Sequence, residues 1–532
     1  MTTLRTTASP LRSRVVVVGH GMAGARVVEE LRAHDPGHLL HVTVLGEEPE
    51  AAYNRVLLSE VLAGRHRADD IRLGTDAWSD DHGVDRRLGS AAISIDRSAR
   101  TVTTAAGDVV DYGVLILATG SRAAVPPIDG LSDSEGALVP GAFVFRTLED
   151  CRGIEAAIGG ARRAVVLGGG LLGLEAARGL AGRGLDVVVV HAVGHLMERQ
   201  LDPDAGAILR RSLAGLGVQV RLGAATTGVM RDADGRFAGL ALGDGGVVLA
   251  DLLVVSCGVR PEVSLAKEAG LLVERGVVVD NGLRSVVDDR VYAIGECAQH
   301  DGQVYGLVAP AWEQAAVVAA RVTGARPDAR YAGSRLVTRL KTEGIDLASM
   351  GETDAVHDPD GGDDAEVVVV SDPARGSYGK LVVRDGRLAG AILVGSPSAV
   401  GAVTQAFDRR SLLPSDRIGM LLPGRGRAAE PDTPDRMPRT ATVCRCNGVT
   451  KGAIQDCVLA GARTVEAVAD VTRAATGCGG CRPAVEGIVD WLNAAEPHTA
   501  LRAVAPDGDD ADPFGPVPEL VTASAAGERR PA

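Results

Sequence analysis

Four cysteines near the C-terminal end are spaced for metal chemistry. Cys444-Arg445-Cys446 is followed, after 31 residues, by Cys478-Gly479-Gly480-Cys481. Four thiolates in two close pairs can hold one metal centre, either tetrahedral zinc or an iron–sulfur cluster. Zinc sites favour two to four residues between paired cysteines, and the single residue between Cys444 and Cys446 is tight for that. Gly477, Gly479 and Gly480 would let backbone amides approach cluster sulfides, and such hydrogen bonds stabilise charge on a reduced cluster. Pro483 suits the first turn of a helix whose positive end would face an anionic centre. Cys457 falls off this pattern and is not expected as a ligand. Cys151 and Cys257 stand alone and read as buried core thiols. Cys297, beside Glu296, could approach a cofactor or simply be packed inertly.

Two glycine-rich turns supply a second kind of chemistry. The first is Gly19-His20-Gly21-Met22-Ala23-Gly24. Gly19 permits a tight turn, Gly21 lets the backbone approach a pyrophosphate, and Gly24 lets helix and strand pack closely. Glu47, first of the pair Glu47-Glu48, lies 23 residues after Gly24, where a carboxylate can accept ribose hydroxyls. The second turn is Gly168-Gly169-Gly170-Leu171-Leu172-Gly173-Leu174-Glu175, and its first glycine lies 149 residues after Gly19. Here the following strand ends Val189-Val190-His191, with no acid at the ribose position. His191 could accompany either a ribose hydroxyl or a 2′-phosphate.

These turns need strands before them and helices after them. Val15-Val16-Val17-Val18 is apolar throughout, the pattern of a strand inside a parallel sheet. A helix from about Met22 to His34 and a strand from His41 to Leu45 complete a βαβ unit. A second unit runs through Ala164–Leu167, the helix Leu171–Arg183 and the strand Asp186–Val190. Two β-rich stretches, 91–118 and 237–257, lie between and after them. A mixed α/β segment follows, with strands expected at 366–370, 380–384 and 388–394. The division expected is 14–125 with 246–325, then 126–245, 330–423, a Pro-, Gly- and Arg-rich linker 424–439, a cysteine-bearing segment 440–495 with three short helices, and a disordered tail 496–532.

Composition narrows the function. The net charge of −13 argues against nucleic acid as a partner. No apolar run approaches the ~18 residues of a membrane span, so no membrane partner is expected. The first thirteen residues lack the apolar core of a secretory signal, so a cytoplasmic location is expected. Eight cysteines in 532 residues are too few for a disulfide scaffold.

The two turns resemble those of the two-dinucleotide flavoprotein reductases, in which the first holds FAD and the second NAD(P)H. Leu115–Ser121, containing Ala118, Thr119 and Gly120, looks like the strand and turn by which such chains return to the FAD. Val291–Glu296, ending in Gly295 and Glu296, looks like the strand that meets the flavin ribityl and pyrophosphate. Tyr53-Asn54-Arg55 and Leu57-Leu58-Ser59 look like the loop beside the flavin ring. The resemblance spans about residues 14 to 325. It implies cofactor contacts at Gly19, Gly21, Met22, Ala23, Gly24, Glu47, Arg55, Ser59, Ala118, Thr119, Gly120, Gly295 and Glu296 for FAD. For NAD(P)H it implies Gly168, Gly170, Leu172, Gly173 and Glu175. Glu60 stands where ferredoxin-reductase relatives carry a lysine. No Cys-x4-Cys pair follows the first unit, so flavin disulfide chemistry is not expected. The cysteine segment is similar to bacterioferritin-associated-ferredoxin-like [2Fe–2S] domains, which implies Cys444, Cys446, Cys478 and Cys481 as cluster ligands.

The phrases Gly19–Arg26, Leu196–Asp202 and Leu307–Ala315 are similar to the reductase half of assimilatory nitrite reductases and to the electron-transfer subunit of assimilatory nitrate reductase. The implied fold class is α/β: two interleaved Rossmann-like domains, a third α/β domain and a small helical [2Fe–2S] domain. The implied partner is a separate molybdenum-containing nitrate reductase catalytic subunit or similar acceptor. The chain ends 51 residues after Cys481 with no further cysteine, so neither sirohaem nor a [4Fe–4S] cluster is expected. Alternatives are a reductase serving nitrite reductase or an oxygenase ferredoxin, and a non-catalytic redox sensor. Anaerobically purified protein should carry about two irons and two acid-labile sulfides per chain, as a [2Fe–2S] centre requires. Metal analysis that found zinc instead would overturn the cluster reading.

Overall fold

The computed structural model describes residues 13–356, 364–422, 434–477 and 479–494. Cys478, the expected tail and most of the expected linker lie outside the described residues.

Arg14–Val18 is buried at four of its five positions and sits at the centre of a five-stranded parallel sheet. His41–Leu45 and Val84–Arg87 extend the sheet on one side, Val114–Leu117 and Val291–Ala293 on the other. A strand flanked on both edges and covered on both faces must be apolar throughout, which is why the valine run lands there. The helix Met22–Ala33 buries Val27, Val28 and Leu31 and packs on the helix Val308–Val322.

The second sheet has the order Val218–Arg221, Asp186–Val190, Arg163–Leu167, Leu252–Val255, Ala142–Val144, all parallel. This corrects one expected boundary. Residues 246–257 were assigned to the returning half of the first unit, yet Leu252 pairs with Ala164 and Val255 with Leu167. The Leu-Leu-Val-Val run is buried on every side and needs parallel neighbours, which only the second sheet offers at that point. The chain crosses between units on two short antiparallel strands, Ser121–Ala123 and Val259–Pro261. The return to the first unit therefore begins at Val259.

The third unit is a five-stranded antiparallel sheet: Val337–Thr342, Ile345–Gly351, Arg387–Val394, Ser377–Arg384, Glu366–Asp372. Helix Pro397–Arg409 buries Val400, Val403 and Phe407 on one face of it. The opposite face shares a core with the second unit, where Leu347, Tyr378 and Ile392 pack with Leu209 and Leu213. A polar cluster crosses that seam. The Asp202 carboxylate accepts from Tyr378 Oη at 2.6 Å and Lys380 Nζ at 3.0 Å, while its other oxygen caps the helix Pro203–Gly215 through Ala205 N.

The fourth unit has the three expected helices, Lys451–Leu459, Val465–Thr472 and Arg482–Ala494, around Ile454, Val458, Val468, Val485 and Ile488. The sequence places a Pro-, Gly- and Arg-rich linker, 424–439, before this unit. In the structure it is seated against the first and third units: Arg473 meets Glu29 at 3.1 Å, and Arg445 pairs with Asp408.

Lys380 is only 4% exposed, so its charge depends on Asp202. Asp202→Ala should destabilise the protein by about 3–5 kcal/mol, because it strands a buried ammonium. Lys380→Met should cost less, since Asp202 keeps Tyr378 and its capping role. Urea denaturation of the two variants checks the order.

Candidate functional site: two glycine turns, one shared cavity and a cysteine at its edge

Each glycine turn combines two closed positions with one open position. Gly19 adopts φ +106°, and a Cβ there would lie 2.3 Å from the Ala118 carbonyl oxygen. A Cβ on Gly24 would lie 1.9 Å from the Gly19 oxygen. Gly21, between them, faces space whose nearest atoms belong to the Arg55 guanidinium at 3.8 Å. The second turn repeats this. Gly168 has φ +119° with Ser256 O at 2.1 Å, Gly173 meets Gly168 O at 2.2 Å, and Gly170 meets nothing within 4 Å. The middle glycine of each turn thus opens the helix N-terminus to a ligand, the cradle that a dinucleotide pyrophosphate fills.

Of the residues expected at FAD, Gly19, Gly21, Met22, Ala23, Glu47, Arg55, Ala118, Thr119, Gly120, Gly295 and Glu296 line one cavity of ≈ 450 Å³. Leu172 and Glu175, expected at NAD(P)H, reach the same cavity from the second unit. Gly24, Gly168, Gly170 and Gly173 do not line it; Gly24, Gly168 and Gly173 hold strand against helix. Ser59 departs from expectation. It is buried and donates to Glu175 Oε2 at 2.9 Å, because the short helix Leu58–Leu62 packs on the helix Leu171–Gly182. Its access to the cavity runs through Glu175.

The cavity carboxylates are partnered. Glu48 accepts from Tyr53 Oη at 2.6 Å and pairs with Arg55. Glu296 pairs with Arg146 and accepts from Ser121 Oγ. Among the described residues, Glu47 pairs with the exposed Arg122, at 3.2 Å. Burial, aided by Arg86, lowers the His20 imidazole to about 4, so it is neutral beside the first turn at neutral pH. Gln314 accepts from Gly295 N at 2.7 Å, and its buried Nε2 finds no partner among the described residues. Arg146 was missed by sequence reasoning. No motif marks it, since its role comes from the strand Ala142–Val144 ending beside Glu296.

Cys444 is 1% exposed and accepts from Asn447 Nδ2 at 3.8 Å. A Cβ on Gly477 would lie 2.7 Å from Cys446 Cβ and 3.4 Å from its sulfur, so the backbone closes on the cysteines as the glycines suggested. Cys446 and Cys481 pack on the same core as Cys444. Among the described residues, which exclude Cys478, no three His, Cys, Asp or Glu side chains converge as a metal set. A donor set of cysteine thiolates with glycine backbone beside it suits an iron–sulfur cluster. Trp312 Nε1 donates to the Cys446 carbonyl at 3.1 Å, and Arg445 and Cys446 line the cavity described above. Among the other cysteines, Cys151 and Cys297 are buried as expected or allowed, burial pushing the Cys151 thiol up to about 12. Cys257 was expected in the core and is exposed, because the chain leaves the sheet at Val255.

Two dinucleotide cradles, the first lining the cavity and the second reaching it through Leu172 and Glu175, define a flavoprotein reductase of the two-dinucleotide class. The chain belongs to the pyridine nucleotide-disulphide oxidoreductase family, whose model matches residues 13–315. Residues 337–410 match the rubredoxin NAD+ reductase C-terminal domain, and residues 442–491 the BFD-like [2Fe-2S] binding domain. The chain is 36% identical over 492 residues to the assimilatory nitrate reductase electron transfer subunit of Bacillus subtilis (strain 168), covering 91% of this chain and 60% of that protein. It is 34% identical to the nitrite reductase (NADH) large subunit of Escherichia coli (strain K12), covering 90% of this chain and 55% of that protein. The chain thus spans 60% or less of these two relatives. Among solved structures, the putidaredoxin reductase–putidaredoxin complex aligns with TM-score 0.68 and 25% identity, over 75% of this chain and 94% of that one. The chain is an FAD-dependent NAD(P)H oxidoreductase with a [2Fe–2S] domain. Among the described residues, Cys151, Cys257, Cys297 and Cys457 form no disulfide.

The two kinds of glycine should fail differently. Gly170→Leu should fold and keep FAD but block flavin reduction by NAD(P)H, while dithionite still bleaches the flavin. Gly173→Leu should lose soluble folded protein, because its side chain meets backbone. Flavin absorbance and circular dichroism separate the outcomes.

Proposed function

We propose that this chain draws electrons from NAD(P)H and passes them to a separate terminal reductase of the assimilatory nitrate type with a molybdenum-containing catalytic subunit, in the cytoplasm. The observation that carries this is the continuity of the cavity. The first glycine turn, Leu172 and Glu175 of the second unit, and Cys446 line it together. The names of the nitrate and nitrite reductase relatives support the choice of acceptor.

In this reading Gly19, Gly21, Met22, Ala23, Glu47, Arg55, Ala118, Thr119, Gly120, Gly295 and Glu296 would hold FAD, with Gly24 and Ser59 supporting. The second turn, Gly168 to Gly173, with Glu175, would place NAD(P)H. Cys444, Cys446, Cys478 and Cys481 would hold the cluster. The units are residues 14–123 with 259–325, 124–258, 330–422 and 440–495. When bound, the flavin supplies the conversion of a two-electron hydride into single electrons, which an iron–sulfur centre requires. The protein supplies position rather than an acid or base. Ser59 holds the Glu175 carboxylate in place, and Trp312 holds the Cys446 backbone at the cavity edge.

With NAD(P)H the purified chain should reduce ferricyanide or a cytochrome and leave nitrate and nitrite untouched. Nitrate should be consumed only when the catalytic partner is added, and not with Cys478→Ser. Reduction of nitrite to ammonia by the chain alone would refute this function. Full nitrate reduction with the cluster-free variant would refute the electron path.

A further inference from the structure

The two glycine turns are built alike, and the point at which they differ concerns the coenzyme's ribose. In the first unit Val18 lies opposite Leu45, so Gly46 follows beside the turn and Glu47 comes next. In the second, Leu167 lies opposite Val190, so His191 occupies the place of Gly46 and Ala192 that of Glu47. The contact between turn and strand end is kept with its partners exchanged. In the first unit a Cβ on Gly46 would sit 3.0 Å from His20 Cβ; in the second a Cβ on Gly169 would sit 2.8 Å from His191 Cγ. The second unit therefore has no acid at the position that Glu47 fills in the first.

An acid is nevertheless brought to the turn from further along the chain. Gly169 N donates to His191 Nδ1 at 3.1 Å. That fixes the neutral tautomer with its proton on Nε2, which faces Glu198 Oε2 at 3.1 Å. His191 thus donates to the Glu198 carboxylate. The backbone adds a second tether, since Met197 N donates to Gly169 O at 3.0 Å. Met197 holds φ +52°, a left-handed conformation that a non-glycine residue adopts only when its surroundings fix it. Glu198 keeps a third of its side chain exposed, so oxygen lone pairs remain for a ligand. Arg199, the next residue, makes no ion pair among the described residues, and is the group that a 2′-phosphate would need.

We propose that Glu198 selects the coenzyme, accepting the 2′-hydroxyl of the adenosine ribose of NADH and repelling the 2′-phosphate of NADPH. His191 acts as its positioning residue. In dinucleotide folds a carboxylate beside the turn reads the ribose hydroxyl, while a nearby arginine accommodates the phosphate. Here the carboxylate is anchored to the turn at two points and the arginine is not. The inference rests on the reading that the second turn binds NAD(P)H.

The test measures flavin reduction by NADH and NADPH, and the dissociation constants of NAD+ and NADP+ from their perturbation of the flavin absorbance. Wild-type protein should favour the NADH form by about tenfold or more in both, as a charge-assisted hydrogen bond replaced by like-charge contact demands. Glu198→Gln should raise KM for NADH and lower it for NADPH with kcat little changed, bringing the ratio near one. Glu198→Asp should restore part of the preference. A ratio unchanged in Glu198→Gln, or a wild-type preference for NADPH, overturns the assignment of Glu198 while leaving the reductase reading intact. Failure of both coenzymes to reduce the wild-type flavin overturns the reductase reading itself.

Discussion

Backbone meets backbone at each glycine turn, and the positions of the remaining parts follow from that contact. The strand end, the helix start and the next strand of the sheet converge so closely that side chains are excluded: Gly24 lies on Gly19, and Gly19 lies on Ala118. This closeness sets the helix N-terminus at the carboxyl edge of the parallel sheet, where its unpaired amides face outward. The same geometry recurs at Gly168, Gly173 and Ser256. The crossing strands Ser121–Ala123 and Val259–Pro261 tie the units together, and the second helix brings Leu172 and Glu175 to the cavity that the first turn lines.

Acids line this cavity, although a dinucleotide is anionic. The structure resolves this by giving its carboxylates local partners. Arg55 and Tyr53 take Glu48, Arg146 and Ser121 take Glu296, and Ser59 takes Glu175. Charge-assisted pairs in a partly buried site fix side-chain directions more than they add stability. The cavity wall is thereby shaped before a ligand enters, which is what positioning two rings against each other requires.

Polar contacts join the cluster unit to the others. Arg473–Glu29 and Arg445–Asp408 are partly exposed pairs of the kind that contribute little to stability. The Trp312 bond to the Cys446 carbonyl is more specific, since it joins the helix carrying Gln314 to the backbone of an expected ligand. A seat of this strength orients the unit against the cavity without merging it into the larger core, and its own apolar core is separate.

The sequence by itself determined the parts whose signal is local. Gly19 and Gly168 need left-handed backbone, the valine runs need burial on both faces, and cysteine spacing limits what metal can sit there. From these the two dinucleotide units and the cysteine domain were legible. What depends on distant residues meeting was decided by tertiary structure. Leu252–Val255 reads as a strand of either sheet, and only pairing with Ala164–Leu167 assigns it. Ser59 became a partner of Glu175, 116 residues away, because two helices pack together. Arg146 carries no motif and reaches Glu296 across 150 residues. The seat of Cys446 on Trp312 likewise joins segments 134 residues apart. Local backbone constraints are written in neighbouring residues, whereas a contact across the fold exists only once burial has chosen which surfaces meet.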